Sequence, residues 1–147
     1  MRLSRNFSLS EFTRSDTAKR LGLLNDPSRD DLTNIKVTAL GLEQVRRVLD
    51  GRSIRITSGY RNRAVNAAVG GVSNSAHAKG FAADITVRGL TAFEVAKEIS
   101  LSDIAFDQLI YEKGRNIVHI SFDPRLRGEV LSQHHGPSGG TMQGIVP

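Results

Sequence analysis

The chain has no cysteine among its 147 residues, which excludes disulfide bonds, thiolate metal ligands and a cysteine nucleophile. It also has no run of about 20 apolar residues, the length that spans a bilayer, so we expect no membrane insertion. The first residues, 1–6, are not followed by the apolar run of a signal peptide. We therefore expect a protein that is made in the cytoplasm and is not exported through a signal peptide.

Aromatic residues and basic tracts are scarce as well. The sequence has no tryptophan, two tyrosines and six phenylalanines, so few side chains are available to stack on the bases of a single strand. Lysine and arginine outnumber aspartate and glutamate by 20 to 15, which gives a net charge of +5. A positive surface favours polyanions such as nucleic acid, anionic lipid or an acidic cell-wall polymer. Because the arginines are scattered and no nucleic-acid-reading motif is present, we expect no specific nucleic-acid partner.

Length and hydrophobic patterning predict one α+β domain, and a chain of this size can bury a core without disulfides. Apolar spacing near 3.6 residues indicates helices, and alternation of apolar and polar residues indicates strands. Helices are predicted from Ser8 or Ser10 to residue 20 and over 32–49, 61–69 and 91–99, and strands over 53–57, 81–87, 106–112 and 117–122. This order favours a mostly antiparallel sheet with flanking helices.

The end of the chain has a different composition. Residues 124–147 contain five of the 14 glycines and three of the four prolines, with few residues that form a core. We predict a domain over residues 1–123 and an extended Gly/Pro-rich C-terminal arm over 124–147, ordered only against a partner or against the surface of the domain. His134 and His135 lie in this arm and are interpreted as solvated side chains rather than metal ligands.

Two of the four histidines stand in patterns that suggest a metal site. His77 precedes a predicted strand that carries Asp84, and His119 lies on a separate predicted strand. Two imidazoles and one carboxylate suit Zn²⁺, and three protein ligands leave a fourth position open, as in catalytic zinc sites. The alternatives are a histidine that is merely packed in or exposed on the sheet, and an aspartate that caps a turn or pairs with an arginine.

Three motifs resemble one known family of enzymes. They are Ser58-Gly59-Tyr60-Arg61, then Ser75-x-His77-x-x-Gly80-x-Ala82-x-Asp84, and then Val118-His119-x-Ser121. Together they resemble the zinc D-Ala-D-Ala carboxypeptidase family, which has the hedgehog/D,D-peptidase fold, and most closely its small branch associated with phages and prophages. Residues 7–12 and 106–112 also resemble this branch, and the similarity covers roughly residues 6–123.

The resemblance implies that one zinc ion per chain is held by His77, Asp84 and His119. The general base needs a separate argument, because many relatives carry an acid three residues before the last histidine, where this chain has Asn116. An amide cannot accept the proton of an attacking water, so Glu112 is the candidate.

A predicted hairpin supports Glu112 as the base. A turn at residues 113–116 places Glu112 opposite Ile117 and Ile110 opposite His119. Directly opposed residues share a face of the sheet, so Glu112 and His119 are diagonal neighbours within reach of one water molecule. The alternative is a surface glutamate held in a salt bridge.

The resemblance also implies which residues bind substrate. Arg61 would hold a carboxylate of the substrate, for which a planar and permanently charged guanidinium is well suited. Ser75 would donate a hydroxyl hydrogen bond to the same carboxylate, and Tyr60 would line the cleft. The alternatives are an arginine that pairs with a nearby acid, a turn serine and a core tyrosine. Gly80 is expected where the backbone adopts a conformation, or makes a close approach, that a Cβ atom would prevent.

The function implied by the resemblance is zinc-dependent hydrolysis of amide bonds in peptidoglycan stem peptides, by a D,D-carboxypeptidase or an endopeptidase of the endolysin type. Such an enzyme would act at the cell wall after phage-mediated release, or as a virion component. The alternative is a phage virion structural or assembly protein on a peptidase scaffold, with weak or no catalysis, that contacts virion proteins through residues 124–147. An independent enzyme is expected to keep its turnover when the chain is shortened after Asp123.

Overall fold

A computed structural model describes residues 1–135 and 139–147. In these two ranges the chain forms helices and strands with the bounds α1 Leu9–Thr13, α2 Asp16–Leu21, α3 Arg29–Val48, β1 Ile54–Ser58, α4 Arg63–Ala68, α5 Ala76–Lys79, β2 Ala82–Val87, α6 Ala92–Leu101, β3 Gln108–Glu112, β4 Ile117–Ser121, β5 Glu129–Gln133 and β6 Met142–Gln143. None of the described helices has the length and apolar character needed to cross a membrane.

The strands lie in one six-stranded sheet with the spatial order β1-β2-β4-β3-β5-β6. Strands β3 and β5 run parallel, whereas each of the other neighbouring pairs is antiparallel. The predicted α+β class, with a mostly antiparallel sheet and flanking helices, is confirmed.

The two faces of the sheet differ because successive side chains of a strand point to opposite sides. Val118 and Ile120 of β4 are fully buried in the core, together with apolar residues of α3 and α6. Asp84 of β2 and His119 of β4 belong to the other face and lie directly opposite each other in the ladder. The central strands therefore present polar side chains on the face that points away from the main core.

The first predicted helix is in fact two helices. Ser8 begins α1 with a capping box that includes Glu11, but the chain is extended at Arg14. The hydroxyl of Ser15 then accepts a hydrogen bond from the Ala18 amide and starts α2. A serine hydroxyl can bind a backbone amide in place of the helical carbonyl group. It therefore favours the start of a second helix over the continuation of the first.

His77, which precedes the predicted strand over 81–87, lies on the one-turn helix α5. Ser75 caps this helix by accepting a hydrogen bond from the His77 amide at 3.2 Å. Gly80 ends it in the left-handed conformation with φ of +88°, and a Cβ atom there would lie 2.8 Å from the Asp31 carbonyl oxygen. Both requirements predicted for Gly80 are met at once, a positive φ and a close approach.

The C-terminal segment belongs to the sheet. Strand β5 pairs with β3 from Gln108–Glu129 to Glu112–Gln133, and β6 pairs with β5. Residues 129–133 and 142–143 of the predicted arm therefore form strands, because short strand-forming runs lie within a stretch rich in glycine and proline. Residues 136–138 of the predicted arm lie outside the described residues.

Candidate metal centre

Three potential ligands from three different elements meet at one point. His77 is on α5, Asp84 on β2 and His119 on β4. Oδ1 of Asp84 lies 3.3 Å from Nε2 of His77 and 3.0 Å from Nδ1 of His119. One ligand atom from each residue lies within 4.8 Å of the other two. Bonds of about 2.0–2.1 Å at the tetrahedral angle would place two ligand atoms about 3.3 Å apart, so these separations suit zinc.

The hydrogen bonds of His77 show which of its nitrogens faces the cluster. Nδ1 of His77 lies 2.7 Å from the carbonyl oxygen of Gly59, which accepts only if Nδ1 carries the proton. In a neutral imidazole the lone pair is then on Nε2, which faces the carboxylate oxygen of Asp84 at 3.3 Å. Two lone pairs that face each other at this distance require a proton or a cation between them. The donor set therefore fits a bound divalent metal ion.

The carboxylate of Asp84 is buried and remains ionised. Burial acts to raise its pKa, but hydrogen bonds with His119 and His77, and the charge of these imidazoles when protonated, hold the pKa well below its usual range. Only 3% of the residue is exposed. An ionised carboxylate with little access to water is a strong ligand for a cation.

Arg115 connects the second oxygen of Asp84 to Glu112. Its guanidinium lies 3.3 Å from Oδ2 of Asp84 and 3.0 Å from Oε1 of Glu112. Asp84 therefore faces the two histidines with one oxygen and Arg115 with the other. Partners of this kind behind a ligand fix the orientation of the ligand.

Glu112 lies on the predicted face of the sheet. It is opposite Ile117, and Ile110 is opposite His119, as the hairpin pattern predicted. Glu112 is only 6% exposed, so it is not a surface residue, and it does form the salt bridge that the alternative expected, with Arg115. A buried carboxylate beside a candidate metal site suits proton transfer.

Arg61 is joined through its backbone to the helix that carries His77, and it lines a cavity together with Arg115. Its amide donates to the carbonyl oxygen of His77 at 3.1 Å, which ties the arginine to the metal-binding segment. Burial lowers the pKa of Arg61, the charge of Asp84 opposes this effect and Arg115 adds to it. Within the described residues, the buried Nε of Arg61 has no hydrogen-bond partner. A cationic donor without a partner is suited to an anionic ligand.

Ser75 and Tyr60 have structural roles that the sequence left open. The Ser75 oxygen caps α5 by accepting a hydrogen bond, which leaves its O–H able to donate to a ligand. Tyr60 is 3% exposed, and its hydroxyl donates to Oδ2 of Asp31 at 2.7 Å. Burial and this hydrogen bond raise the pKa of Tyr60, so the phenol stays neutral. Tyr60 also borders a cavity of about 370 Å³ next to Arg61.

Two residues of the site were missed by the sequence analysis. The sequence places Arg115 only in a hairpin turn. A basic residue three positions after the candidate base Glu112 could have indicated the ion pair that the structure shows. Asn25 was not singled out by the sequence analysis, yet its side-chain amide binds the backbone of both neighbours of Arg61. It donates to the carbonyl oxygens of Thr13 and Tyr60 at 2.8 and 2.9 Å and accepts from the Asn62 amide at 2.8 Å.

Two imidazoles and a carboxylate that converge from one helix and two strands, with a further acid nearby, are typical of metal-dependent hydrolases. The chain belongs to the peptidase M15 family, whose model matches residues 5–121. A comparison with curated proteins finds no significant match.

Membership of this family confirms the resemblance on which the sequence analysis relied, and the sheet and helices are those of the hedgehog/D,D-peptidase-like fold. The chain is a metallopeptidase of the class that acts on peptidoglycan.

Proposed function

We propose that this protein is a zinc-dependent peptidase that hydrolyses amide bonds in peptidoglycan stem peptides, as a D,D-carboxypeptidase or an endopeptidase. The observation that carries the proposal is the convergence of His77 Nε2, Asp84 Oδ1 and His119 Nδ1 at one site in a chain of the M15 family.

The metal and the base divide the chemistry between them. His77, Asp84 and His119 would hold a zinc ion, which would supply Lewis acidity to polarise a carbonyl group and to lower the pKa of water. Glu112 accepts the proton of the attacking water and passes it to the leaving amine. Arg115 binds Oε1 of Glu112, which leaves Oε2 as the oxygen that takes the proton.

Arg61 and Ser75 orient the substrate. The unpaired Nε of Arg61 and its planar guanidinium bind a carboxylate of the peptide, and the O–H of Ser75 donates to the same group. These contacts hold the scissile bond in register, so they contribute orientation rather than proton transfer.

Mass spectrometry of purified peptidoglycan fragments after incubation with the zinc-loaded protein tests this proposal. We expect one zinc ion per chain and the loss of a defined amino acid or the cleavage of a defined peptide bond. His77→Ala and Asp84→Ala are expected to lose both zinc and activity. Glu112→Gln is expected to keep zinc and to lower kcat by about 10²- to 10⁴-fold.

The matched control is Glu98→Gln, because Glu98 is exposed on α6 and lies outside the cluster. It should retain wild-type turnover. A protein that cleaves fragments equally well with a chelator present, or that binds no zinc, would contradict the metal role. Full turnover of Glu112→Gln would remove Glu112 from the base role and leave the metal site intact.

The proposed site of action is the cell wall, which the enzyme reaches after phage-mediated release or as a virion component. The resemblance of residues 7–12 and 106–112 to the phage-associated branch supports this proposal. Peptidase activity in purified particles or in a lysate at the time of lysis would test it. Activity confined to intact host cells without phage genes would contradict it.

A further inference from the structure

Two cavities along the edge of β1 together form a groove, which begins at Arg61 and Arg115, the arginines that contact His77 and Asp84. Its first part is the cavity of about 370 Å³ that Arg14, Arg61 and Arg115 line. Its second part is a cavity of about 280 Å³ that Arg55 lines. Arg14, Asp16 and Thr57 line both cavities, so the two parts adjoin each other at these residues. Strand β1 is the edge strand of the sheet, so this groove lies open to solvent.

The groove carries more positive charge than its own acids neutralise. Arg115 is already paired with Asp84 and Glu112. Among the described residues, Arg14, Arg55 and Arg61 have no carboxylate within 4.0 Å, and Asp16 is the acid that lines both cavities. Three guanidinium groups, each without an acidic partner among residues 1–135 and 139–147, therefore line this groove.

Arg14 is held where it can contact a bound peptide. Its Nη2 donates to the carbonyl oxygen of Ile56 at 3.4 Å, which places the guanidinium against the edge of β1. In the part of the chain that the structure describes, Arg14 forms no ion pair within 4.0 Å, and a guanidinium can bind a carboxylate through two parallel hydrogen bonds. Arg61 alone accounts for one carboxylate beside the metal centre, so Arg14 and Arg55 are available for another.

We propose that this groove selects peptides that carry two carboxylates, one bound by Arg61 beside the scissile bond and a second bound farther along β1 by Arg14, with Arg55 adding attraction. This inference rests on the proposed function, and it names the substrate as a diacidic peptide. Arg14 and Arg55 act as specificity residues, because they lie away from the three candidate metal ligands and hold the far part of the substrate.

The test measures binding rather than turnover. A fluorescent peptide with a free C-terminal carboxylate and an internal acidic side chain is compared with the same peptide carrying a carboxamide at the internal position. The internal acid is placed one, two or three residues from the C-terminus. Anisotropy titrations use the full chain with Glu112→Gln, which prevents cleavage, with and without added zinc.

We expect the diacid to bind about 10-fold more tightly than the carboxamide at one of the three positions. Arg14→Gln should reduce this preference to about 2-fold or less, and Arg55→Gln should reduce it by a smaller factor. Arg14→Lys keeps the positive charge, so its preference should be larger than that of Arg14→Gln. High salt should weaken the preference because these charges are exposed.

Arg20→Gln is the matched control, since Arg20 is an exposed arginine on α2 that lines neither cavity. It should keep the full preference. Equal binding of diacid and carboxamide at all three positions, or a preference that survives Arg14→Gln, would overturn the inference. An arginine-dependent preference in a protein that cleaves no fragment would support the groove and contradict the peptidase proposal, so the two failures are distinguishable.

Discussion

Single residues in the loop before α4 hold the candidate site together. A Cβ atom on Gly59 would lie 2.8 Å from the Phe12 carbonyl oxygen, so only glycine allows β1 and α1 to approach this closely. The same residue provides the carbonyl that binds Nδ1 of His77. Glycine at position 59 therefore serves packing and also sets which nitrogen of the histidine faces the metal site.

Asn25 is the residue that fixes the position of Arg61. Its amide forms three hydrogen bonds to backbone groups of Thr13, Tyr60 and Asn62, and it is 9% exposed. Asn25→Ala leaves these groups without partners, so we expect the free energy of unfolding to fall by about 2–3 kcal/mol. Urea unfolding measures this change. We also expect a larger rise in KM than fall in kcat, because Arg61 binds substrate.

Asn74→Ala provides the comparison, since Asn74 is exposed. Its free energy of unfolding should stay within about 0.5 kcal/mol of the wild type. Unchanged stability of Asn25→Ala would show that the three hydrogen bonds are replaced by water.

At the scale of elements, the carboxylate of Asp107 binds the segment that connects β4 to β5. Asp107 is 1% exposed, and it accepts hydrogen bonds from the Arg127 amide, Nε and Nη2 at 3.0, 2.9 and 2.9 Å. The hydrogen bond from the Arg127 side chain lowers the pKa of Asp107. Burial acts to raise this pKa, and the hydrogen bond from the Arg127 amide lowers it further. The segment that leads into β5 therefore depends on an ionised aspartate.

The sign of this pKa change predicts a pH dependence of stability. A carboxyl group with a lowered pKa in the folded state stabilises the protein above its unfolded pKa of about 3.9, and the effect is lost as the pH falls through the folded pKa. Asp107→Asn should lower the melting temperature at pH 7 by about 3–6 °C. The difference from wild type should shrink as the pH is lowered below about 4.

Thermal unfolding at several pH values measures this effect, with Asp103→Asn as the control, because Asp103 is exposed and near in sequence. A difference between Asp107→Asn and wild type that stays constant down to the lowest pH would show that shape, and not charge, is what Asp107 contributes.

At the scale of the whole molecule, the C-terminal strands complete the sheet. Removal of residues 124–147 would expose the edge of β3, where Leu109 and Tyr111 are 0% and 7% exposed in the full chain. An unpaired hydrophobic edge promotes aggregation. We therefore expect the chain shortened after Asp123 to lose turnover through misfolding, which changes the outcome that the sequence alone predicts for an independent enzyme.

A chain that ends at Gln133 is the matched control, because it keeps β5 on β3 and lacks only the residues beyond β5. It should remain monomeric and folded in size-exclusion chromatography and circular dichroism. A shorter chain, ending at Asp123, that is monomeric and fully active would show that β5 is an accessory element.

Much of the fold could be predicted because its signals are local. The helix predicted over 91–99 is α6, which begins at a capping box of Thr91 and Glu94. The turn after Glu112 sets the register of β3 against β4, as the hairpin pattern predicted. The break between α1 and α2 and the strand β5 could not be predicted in the same way. The first depends on Ser15 capping a new helix, and the second depends on β3 as a partner distant in the sequence.

The sequence by itself determined the types and spacing of the candidate ligands His77, Asp84 and His119. The spacing along the chain is local, and alternation along a strand fixes the face of the sheet to which a side chain points. Only the tertiary structure decided that Arg115 joins Asp84 to Glu112 and that Arg14 and Arg55 line one groove with Arg61. The physical reason is that long, flexible side chains meet across elements far apart in the sequence, and their contacts depend on how the sheet and helices pack.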